Sequence, residues 1–130
     1  MAGIRRRPKE ERVARIRRGD ICLVAFDPAV GHEIKETRPA LVIQNDVGNR
    51  YSSVTIVAAI ASTLSPVPYP VEVDIQPMRN NGLEVRSAIR LDQIRTVDRT
   101  RLVRRLGAAD AVTMARVDDA IRISLGLIQF

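Results

Sequence analysis

The sequence predicts a mainly β (α+β) protein, a small, partly open β-barrel with a C-terminal α-helix. Six or seven short β-rich segments follow one another between residues 20 and 97, separated by turn signals. From residue 110 onward, apolar residues recur every three or four positions, which is the spacing of one helix face. Meandering strands of this length usually form such a barrel. A chain of 130 residues is long enough to bury one core.

The first two predicted strands flank a polar loop. Residues 20–26 (DICLVAF) are rich in β-forming residues and end at an Asp-Pro pair, which predicts a strand. The loop, residues 27–38, is long for a hairpin, and long loops in compact domains are often functional. Because Pro39 biases the residue before it toward extended geometry, we expect Arg38 to be held where the loop enters the second strand, residues 40–44.

The later strands differ in their apolar patterns. Residues 45–52 predict a turn-rich connection to residues 54–62, a nearly continuous apolar run that is typical of a central buried strand. Residues 71–75 alternate between apolar and charged, so one of their faces is expected in solvent. Residues 85–91 and 93–97 predict two more strands with a break between them.

A C-terminal helix follows, with Asp110 as its expected N-cap. Its apolar face is expected to belong to the core or to a dimer contact. The residues of that face are Met114, Val117, Ala120, Ile121, Leu125 and Ile128.

The positive charge is concentrated at the N-terminus. The net charge is +6, and residues 1–18 hold eight basic and two acidic residues, so the remaining chain is neutral overall. We therefore divide the chain into a basic N-terminal extension, residues 1–18, and a folded domain, residues 19–130. The extension either attracts phosphates without selecting among them or is a solubilising or disordered leader. Val13 and Ile16 permit a short helix within it.

Composition limits the location and the chemistry. No segment is long and apolar enough to span a membrane, and the N-terminus lacks the apolar stretch of a signal peptide, so we predict a cytoplasmic protein. Cys22 is alone within an apolar run, which is typical of a buried, inert thiol. Aromatic residues make up only 3% of the chain, which argues against a platform of several stacked bases.

Common enzyme signatures are missing, among them glycine-rich phosphate loops, the GxSxG turn and the HExxH zinc motif. A zinc site or a Cys–His pair would need His32 and Cys22, which are expected on a loop and inside a strand. Glu72 and Asp74 share one strand face and could hold magnesium, but a solvated face is the more common outcome of such spacing.

Two long motifs point to a specific family. They are RGD…DP..G.E…RP…VIQND.GNR…V.AI and GLE..S.I.LDQIRT.D. Together they resemble the MazF/PemK family of toxin endoribonucleases over roughly residues 18–128. The resemblance implies a small SH3-like barrel that acts as a homodimer and is inhibited by a cognate MazE-like antitoxin. It also implies cleavage of single-stranded RNA at short sequences, without metal or cofactor, leaving a 2′,3′-cyclic phosphate and a 5′-hydroxyl.

The family's catalytic arginine falls on Arg38. A fixed guanidinium can bind two of the phosphate oxygens on which charge builds when a 2′-hydroxyl attacks. The alternative is a structural arginine paired with Glu33 or Glu36. The family's catalytic threonine aligns with Ala61, which has no hydroxyl, so we expect Ser62 to replace it if the strand ends there.

The loop before Arg38 also departs from the family. It reads GHEIKE where the family commonly has GSEQGG, so Lys35 and Glu36 occupy glycine positions and a stiffer or differently folded loop is expected. His32 replaces a serine and belongs to a residue type that titrates near neutrality. If Ser62 does not supply the hydroxyl, either His32 transfers the proton or this enzyme is slow. A lone histidine is also commonly a polar surface residue.

The resemblance further implies a set of RNA-binding side chains. Asn and Gln read base edges and Arg binds phosphate, although the same residue types commonly cap turns or pair within a sheet. Two other functions stay open, a protein-binding toxin similar to the gyrase poisons and an RNA-binding protein disabled at Ala61. The implied RNA-binding residues are His32, Glu33, Asn45, Arg50, Thr63, Gln93 and Arg95.

Overall fold

The computed structural model describes residues 15–67 and 69–129. Within these ranges six strands and two helices follow one another. They are β1 (Asp20–Ala25), β2 (Thr37–Val42), the short helix α1 (Asp46–Tyr51), β3 (Val54–Ala61), β4 (Glu72–Ile75), β5 (Ser87–Asp98), β6 (Leu102–Ala108) and α2 (Ala111–Ser124), with a 3₁₀ turn (Arg99–Arg101) between β5 and β6.

The strands form one antiparallel sheet in the order β4-β5-β3-β2-β1-β6. The apolar run of β3 lies inside this sheet, and four of its residues in succession, 57–60, are buried, which confirms a central buried strand. Among the described residues β4 and β6 are the two edges and do not pair with each other. The sheet is therefore a partly open barrel, as the strand pattern predicts.

The loop after β4 crosses the gap between the two edges. The backbone N–H of Ala108 in β6 donates to the carbonyl of Asn80 in this loop at 2.8 Å. Two glycines permit the close approach. A Cβ on Gly82 (φ +72°) would lie 2.4 Å from the Leu106 carbonyl oxygen, and one on Gly107 would lie 2.4 Å from that of Asn80. Any larger residue at either position would push the loop away from β6.

An apolar core covers each face of the sheet. Successive residues of β1 point to opposite faces, so Cys22 and Val24 enter one core and Ile21 enters the other. Helix α2 covers the second core with Val117 and Ala120, which are buried as predicted. Burial of Cys22 raises the pKa of its thiol to about 12, so this cysteine stays protonated in the folded protein.

Helix α2 begins as the sequence predicts but ends early. The carboxylate of Asp110 accepts from the Thr113 backbone N–H at 2.8 Å, which confirms the N-cap and lowers the pKa of that carboxyl. The helix stops at Ser124. Leu125 and Ile128 lie beyond its last residue, so the prediction that they belong to the helix is wrong. They are 60% and 47% exposed and lie outside both cores, and the predicted dimer contact stays a prediction.

Two connections also differ from the sequence prediction. Residues 46–51 form helix α1 where a turn was expected. The expected break between the last two predicted strands is a bulge inside the single long strand β5, because Ala58 of β3 pairs with Ile94 whereas its neighbour Ala59 pairs with Arg90. Strand β6 was not predicted at all.

Part of the basic N-terminal extension packs on the body. Ile16 is buried in the first core. The Arg18 guanidinium donates to the Ile43 carbonyl at 2.9 Å and pairs with Asp118 at 2.7 Å. Val13, and with it most of the short helix expected there, lies outside the described residues, and the division at residue 18 stays a prediction. None of the helices in the described ranges is long and apolar enough to cross a membrane.

Candidate active site

Arg38 is held at the start of β2, paired in the sheet with Val24 of β1. Its side chain is 39% exposed. The Nε atom donates to the Lys35 carbonyl at 3.0 Å, and Nη2 lies 3.9 Å from a carboxylate oxygen of Glu36. That ion pair is long and the carboxylate is 76% exposed, so it contributes little and a phosphate can displace it. One edge of the guanidinium is thus fixed by the loop.

Arg38 and Ser62 line the same cavity, which has a volume of about 340 Å³. Leu23 and Ile60 contribute apolar lining, and residues 82–85 form part of the wall. Strand β3 ends at Ala61, and Ser62 follows it as an exposed residue. The sequence argument for Ser62 required a strand end at this point, and the structure has one.

Ala61 itself lies on the Arg38 side of the hairpin. The register of β2 and β3 pairs Ala40 with Ala59, and continuing it by two residues places Ala61 opposite Arg38. A hydroxyl at this position would therefore lie on the same face of the sheet as the Arg38 side chain. Its absence leaves Ser62, the next residue, as an exposed hydroxyl that shares the cavity with Arg38, while the Ser87 hydroxyl in the same lining is buried and donates to the Val85 carbonyl at 2.9 Å.

Three polar residues of this cavity were missed by the sequence analysis, namely Glu84, Ser87 and Arg104. Arg104 is exposed on β6, paired with Leu23, and brings a second positive charge to the cavity. No signal pointed to it, because β6 carries two adjacent arginines and two register irregularities that hide the strand alternation.

The loop before Arg38 has a glycine-like backbone at Glu36. This residue has φ +68°, a conformation that costs an L-residue about 1–2 kcal/mol. Its N–H donates to the Asp27 side chain at 3.1 Å, and its carbonyl accepts from the Phe26 N–H at 3.0 Å. Glu36 thus adopts a glycine-like shape despite its side chain, and the loop stores strain next to Arg38.

Two side chains of strand β5 form hydrogen bonds with the backbone of the same loop. The Gln93 side chain accepts from the Ile34 N–H and donates to the His32 carbonyl, each at 3.4 Å. The Arg95 guanidinium donates to the Phe26 carbonyl at 2.5 Å. With Glu33, these two β5 residues line a small cavity of about 70 Å³. Both predicted RNA-binding residues of β5 thus also support the loop.

The chain can be placed among known proteins by its sequence. A model of the PemK-like, MazF-like toxins of type II toxin–antitoxin systems matches residues 17–125. The chain belongs to this family. It is 44% identical to the endoribonuclease EndoA of Bacillus subtilis (strain 168) over 115 residues, which is 88% of this chain and 98% of that protein.

Solved structures of MazF-like toxins share the fold. A MazF structure from Deinococcus radiodurans has a TM-score of 0.72 and 27% identity, and the match covers 85% of this chain and 96% of that one. A MazE–MazF structure from the same organism has a TM-score of 0.68 and 27% identity, covering 88% of this chain and 98% of that one. The resemblance to the MazF/PemK family is confirmed.

Three residues implied by the MazF-like pattern lie on loops near the site. His32 is exposed, and it contacts β5 through its backbone carbonyl, while its side chain does not line the Arg38 cavity. Thr63 is exposed one residue beyond Ser62. Glu33 accepts from the Val30 N–H at 2.7 Å, and the ion pair of Arg38 is formed with Glu36 instead.

Two other implied residues lie at the opposite end of the β2–β3 hairpin. The Asn45 side chain accepts from the Gly48 N–H at 2.8 Å and is the N-cap of α1. Arg50 is exposed, with its guanidinium carbon 5.3 Å from the centre of the Tyr51 ring. Neither residue lines the Arg38 cavity.

The acidic pair of β4 is engaged within the fold of this MazF-like toxin. Asp74 pairs with Arg86 at 2.6 Å, and hydrogen bonds from this arginine lower the pKa of the Asp74 carboxyl. Glu72 accepts from the Ser65 N–H at 3.2 Å. In the described part of the chain, no three side chains of the His, Cys, Asp and Glu types come together as metal ligands do.

Proposed function

We propose that this toxin cleaves single-stranded RNA at the Arg38 cavity, without a metal ion, and leaves a 2′,3′-cyclic phosphate and a 5′-hydroxyl. The chain is a MazF-like endoribonuclease of a type II toxin–antitoxin system. The observation that supports the site is the placement of Arg38, fixed through Nε, in one cavity with the Ser62 hydroxyl.

In the proposed reaction, the 2′-oxygen of the RNA attacks the adjacent phosphorus, and the bond to the 5′-oxygen breaks. The attacking oxygen loses its proton and the leaving oxygen gains one. Negative charge builds on the non-bridging phosphate oxygens, where the Nη groups of Arg38 bind. Since a guanidinium does not readily lose a proton, Arg38 stabilises charge and is not the base.

The remaining groups of the cavity have supporting roles in this proposal. The Ser62 hydroxyl donates to the phosphate or to the leaving oxygen, in place of the hydroxyl missing at Ala61. Arg104 binds a neighbouring phosphate, because it adds a second charge to the same cavity. Glu33, Thr63 and Gln93 contact the bases next to the cut. His32 stands at the loop tip and contacts RNA there.

The proposed partners follow from the family. A cognate MazE-like antitoxin is supported by the MazE–MazF complex among the structural neighbours. We also propose a homodimer in the cytoplasm. Leu125 and Leu127 are 60% and 69% exposed and provide apolar surface for a second copy.

One observation favours a second candidate function. When the β2–β3 register is continued, Ala61 falls opposite Arg38 and has no hydroxyl, so a protein that binds RNA but cuts it very slowly, or not at all, would have this site.

Incubation of a long single-stranded RNA with the purified protein in EDTA separates the two candidates. The endoribonuclease proposal predicts cleavage that Arg38→Ala abolishes and that Arg79→Ala, an exposed arginine outside the cavity, leaves intact. RNA that stays whole during long incubation, while still bound, would support the second candidate.

A further inference from the structure

A second groove lies at the hairpin end opposite Arg38. Its volume is about 690 Å³, and it is formed by residues 15–17 and helix α1. Three arginines line it, Arg15, Arg17 and Arg50, all of them exposed. Since β3 has eight residues, each advancing the strand by about 3.3 Å, the groove lies roughly 25 Å from the Arg38 cavity.

Tyr51 gives this groove an aromatic surface. Its side chain is 77% exposed, in a chain that has only two tyrosines, two phenylalanines and no tryptophan. The Arg50 guanidinium carbon lies 5.3 Å from the ring centre, within the range of a cation–π contact. A nucleic-acid base can stack on a planar ring that is open to solvent. The cations beside the ring can then bind the phosphate of that nucleotide.

The one carboxylate in the groove is already occupied. Asp46 accepts from the Arg18 backbone N–H at 2.7 Å and from the Asn49 side chain at 3.2 Å. These two donors lower the pKa of the Asp46 carboxyl and so keep it ionised. Three arginines against this one carboxylate leave the groove positively charged, and residues 1–14 add five basic and two acidic residues directly before Arg15.

We propose that the groove of Arg15, Arg17, Arg50 and Tyr51 is a second binding site for single-stranded RNA. Tyr51 stacks on one base, and the arginines bind the phosphates on either side of it. Single strands fit better than duplexes, because only an unpaired base exposes its face to Tyr51. The inference rests on the proposed function in that RNA is the substrate. The second site increases the affinity for long RNA at a distance from the cut.

The test measures binding to an RNA that cannot be cut. The probe is a mixed-sequence single strand of about 20 nucleotides, fully 2′-O-methylated so that no 2′-hydroxyl can attack. Its affinity is measured by fluorescence anisotropy at several salt concentrations. The groove variant is Arg17→Gln with Arg50→Gln. The control is Arg79→Gln with Arg122→Gln, which removes the same charge from exposed positions elsewhere.

We expect the groove variant to bind the probe more weakly than the control variant. The slope of log affinity against log salt should fall by about 1.4, for two lost phosphate contacts on a single strand. Tyr51→Leu, which keeps the charge and an apolar side chain, should weaken binding about fivefold or more.

Three results would overturn the inference. If the groove and control variants lose the same RNA affinity, the arginines act by charge alone and not as a site. If Tyr51→Leu binds the probe as tightly as the unaltered protein, no base stacks on Tyr51. A groove variant that loses dimerisation in sedimentation and keeps RNA affinity would assign the groove to a second copy of the chain. Because the probe is uncleavable, a failure of the proposed function appears only with ordinary RNA and leaves this measurement intact.

Discussion

At one end of the β2–β3 hairpin, Arg38 is half-buried, fixed through Nε by the Lys35 carbonyl and enclosed by a cavity. At the other end, Arg17 and Arg50 are exposed around the open ring of Tyr51. Both ends carry arginine, but the Arg38 guanidinium is held by a backbone carbonyl in a cavity that it shares with the Ser62 hydroxyl, whereas Arg17 and Arg50 line a groove beside an exposed ring. The comparison suggests that fixed geometry serves chemistry, whereas exposed charge serves affinity.

The largest difference should appear when the arginines are removed. Arg38→Ala should lower kcat by about 10²–10³, which abolishes detectable cleavage in an assay of ordinary length, because a donor to the developing phosphate charge is lost. Arg38→Lys should keep the charge but lose the two-pronged contact and most of the activity. The Arg17→Gln, Arg50→Gln variant should show its loss in KM for a long RNA. Steady-state kinetics of all three variants check this. An equal loss of kcat in the Arg38 and groove variants would contradict the separation of a catalytic end from a binding end.

Restoring a hydroxyl at Ala61 should produce the next largest effect. Ala61→Thr places the hydroxyl opposite Arg38 and should raise kcat about tenfold or more. Ala61→Val is the matched control, because valine has the shape of threonine without the hydroxyl. If the two variants have equal rates, or if threonine slows cleavage, another group has taken over this role.

Relief of strain at Glu36 should have a smaller effect, on stability. Glu36→Gly removes about 1–2 kcal/mol of left-handed backbone strain and adds about 0.5–1 kcal/mol of unfolded-state entropy, so the net gain lies between about 0 and 1.5 kcal/mol. A Tm increase of roughly 2–4 °C is expected. Glu36→Ala loses the carboxylate but keeps the strain, and it should show no such increase. Equal Tm values for the two variants would mean that the backbone is not strained.

The smallest effect should come from Asn45. Because its side chain caps α1, Asn45→Ala should cost about 1 kcal/mol of stability, and Asn45→Asp should keep it. Chemical denaturation measures the cost, and sequencing of the RNA fragments measures the cut sites. If Asn45→Ala changes the cut sites and leaves stability unchanged, Asn45 contacts RNA bases, as the family resemblance implied.

The sequence predicted the part of the fold that surrounds Arg38. Pro39 required an extended residue before it, and the apolar run of β3 required a buried position, so the two strands of the site could be placed. The family motifs supplied the function and the fold, and both are confirmed. The end of β3 at Ala61, which brings Ser62 into the cavity, was stated only as a condition.

What could not be predicted depends on contacts between distant parts of the chain. Arg104 enters the cavity only because β6 pairs with β1, and its two adjacent arginines conceal the strand. Arg50 and Asn45 match the family pattern, but their distance from Arg38 follows from the hairpin register and not from spacing in the sequence. The groove at Tyr51 forms because residues 15–17 lie beside α1. These two segments are about thirty residues apart, so no local sequence pattern predicts their contact.

Mass spectrometry of the RNA ends produced in EDTA tests the central claim most directly. Attack by the 2′-hydroxyl at a phosphate bound to Arg38 predicts fragments with a 2′,3′-cyclic phosphate at one end and a 5′-hydroxyl at the other, and none with Arg38→Ala. Fragments with a 3′-hydroxyl and a 5′-phosphate, or cleavage that EDTA abolishes, would contradict it.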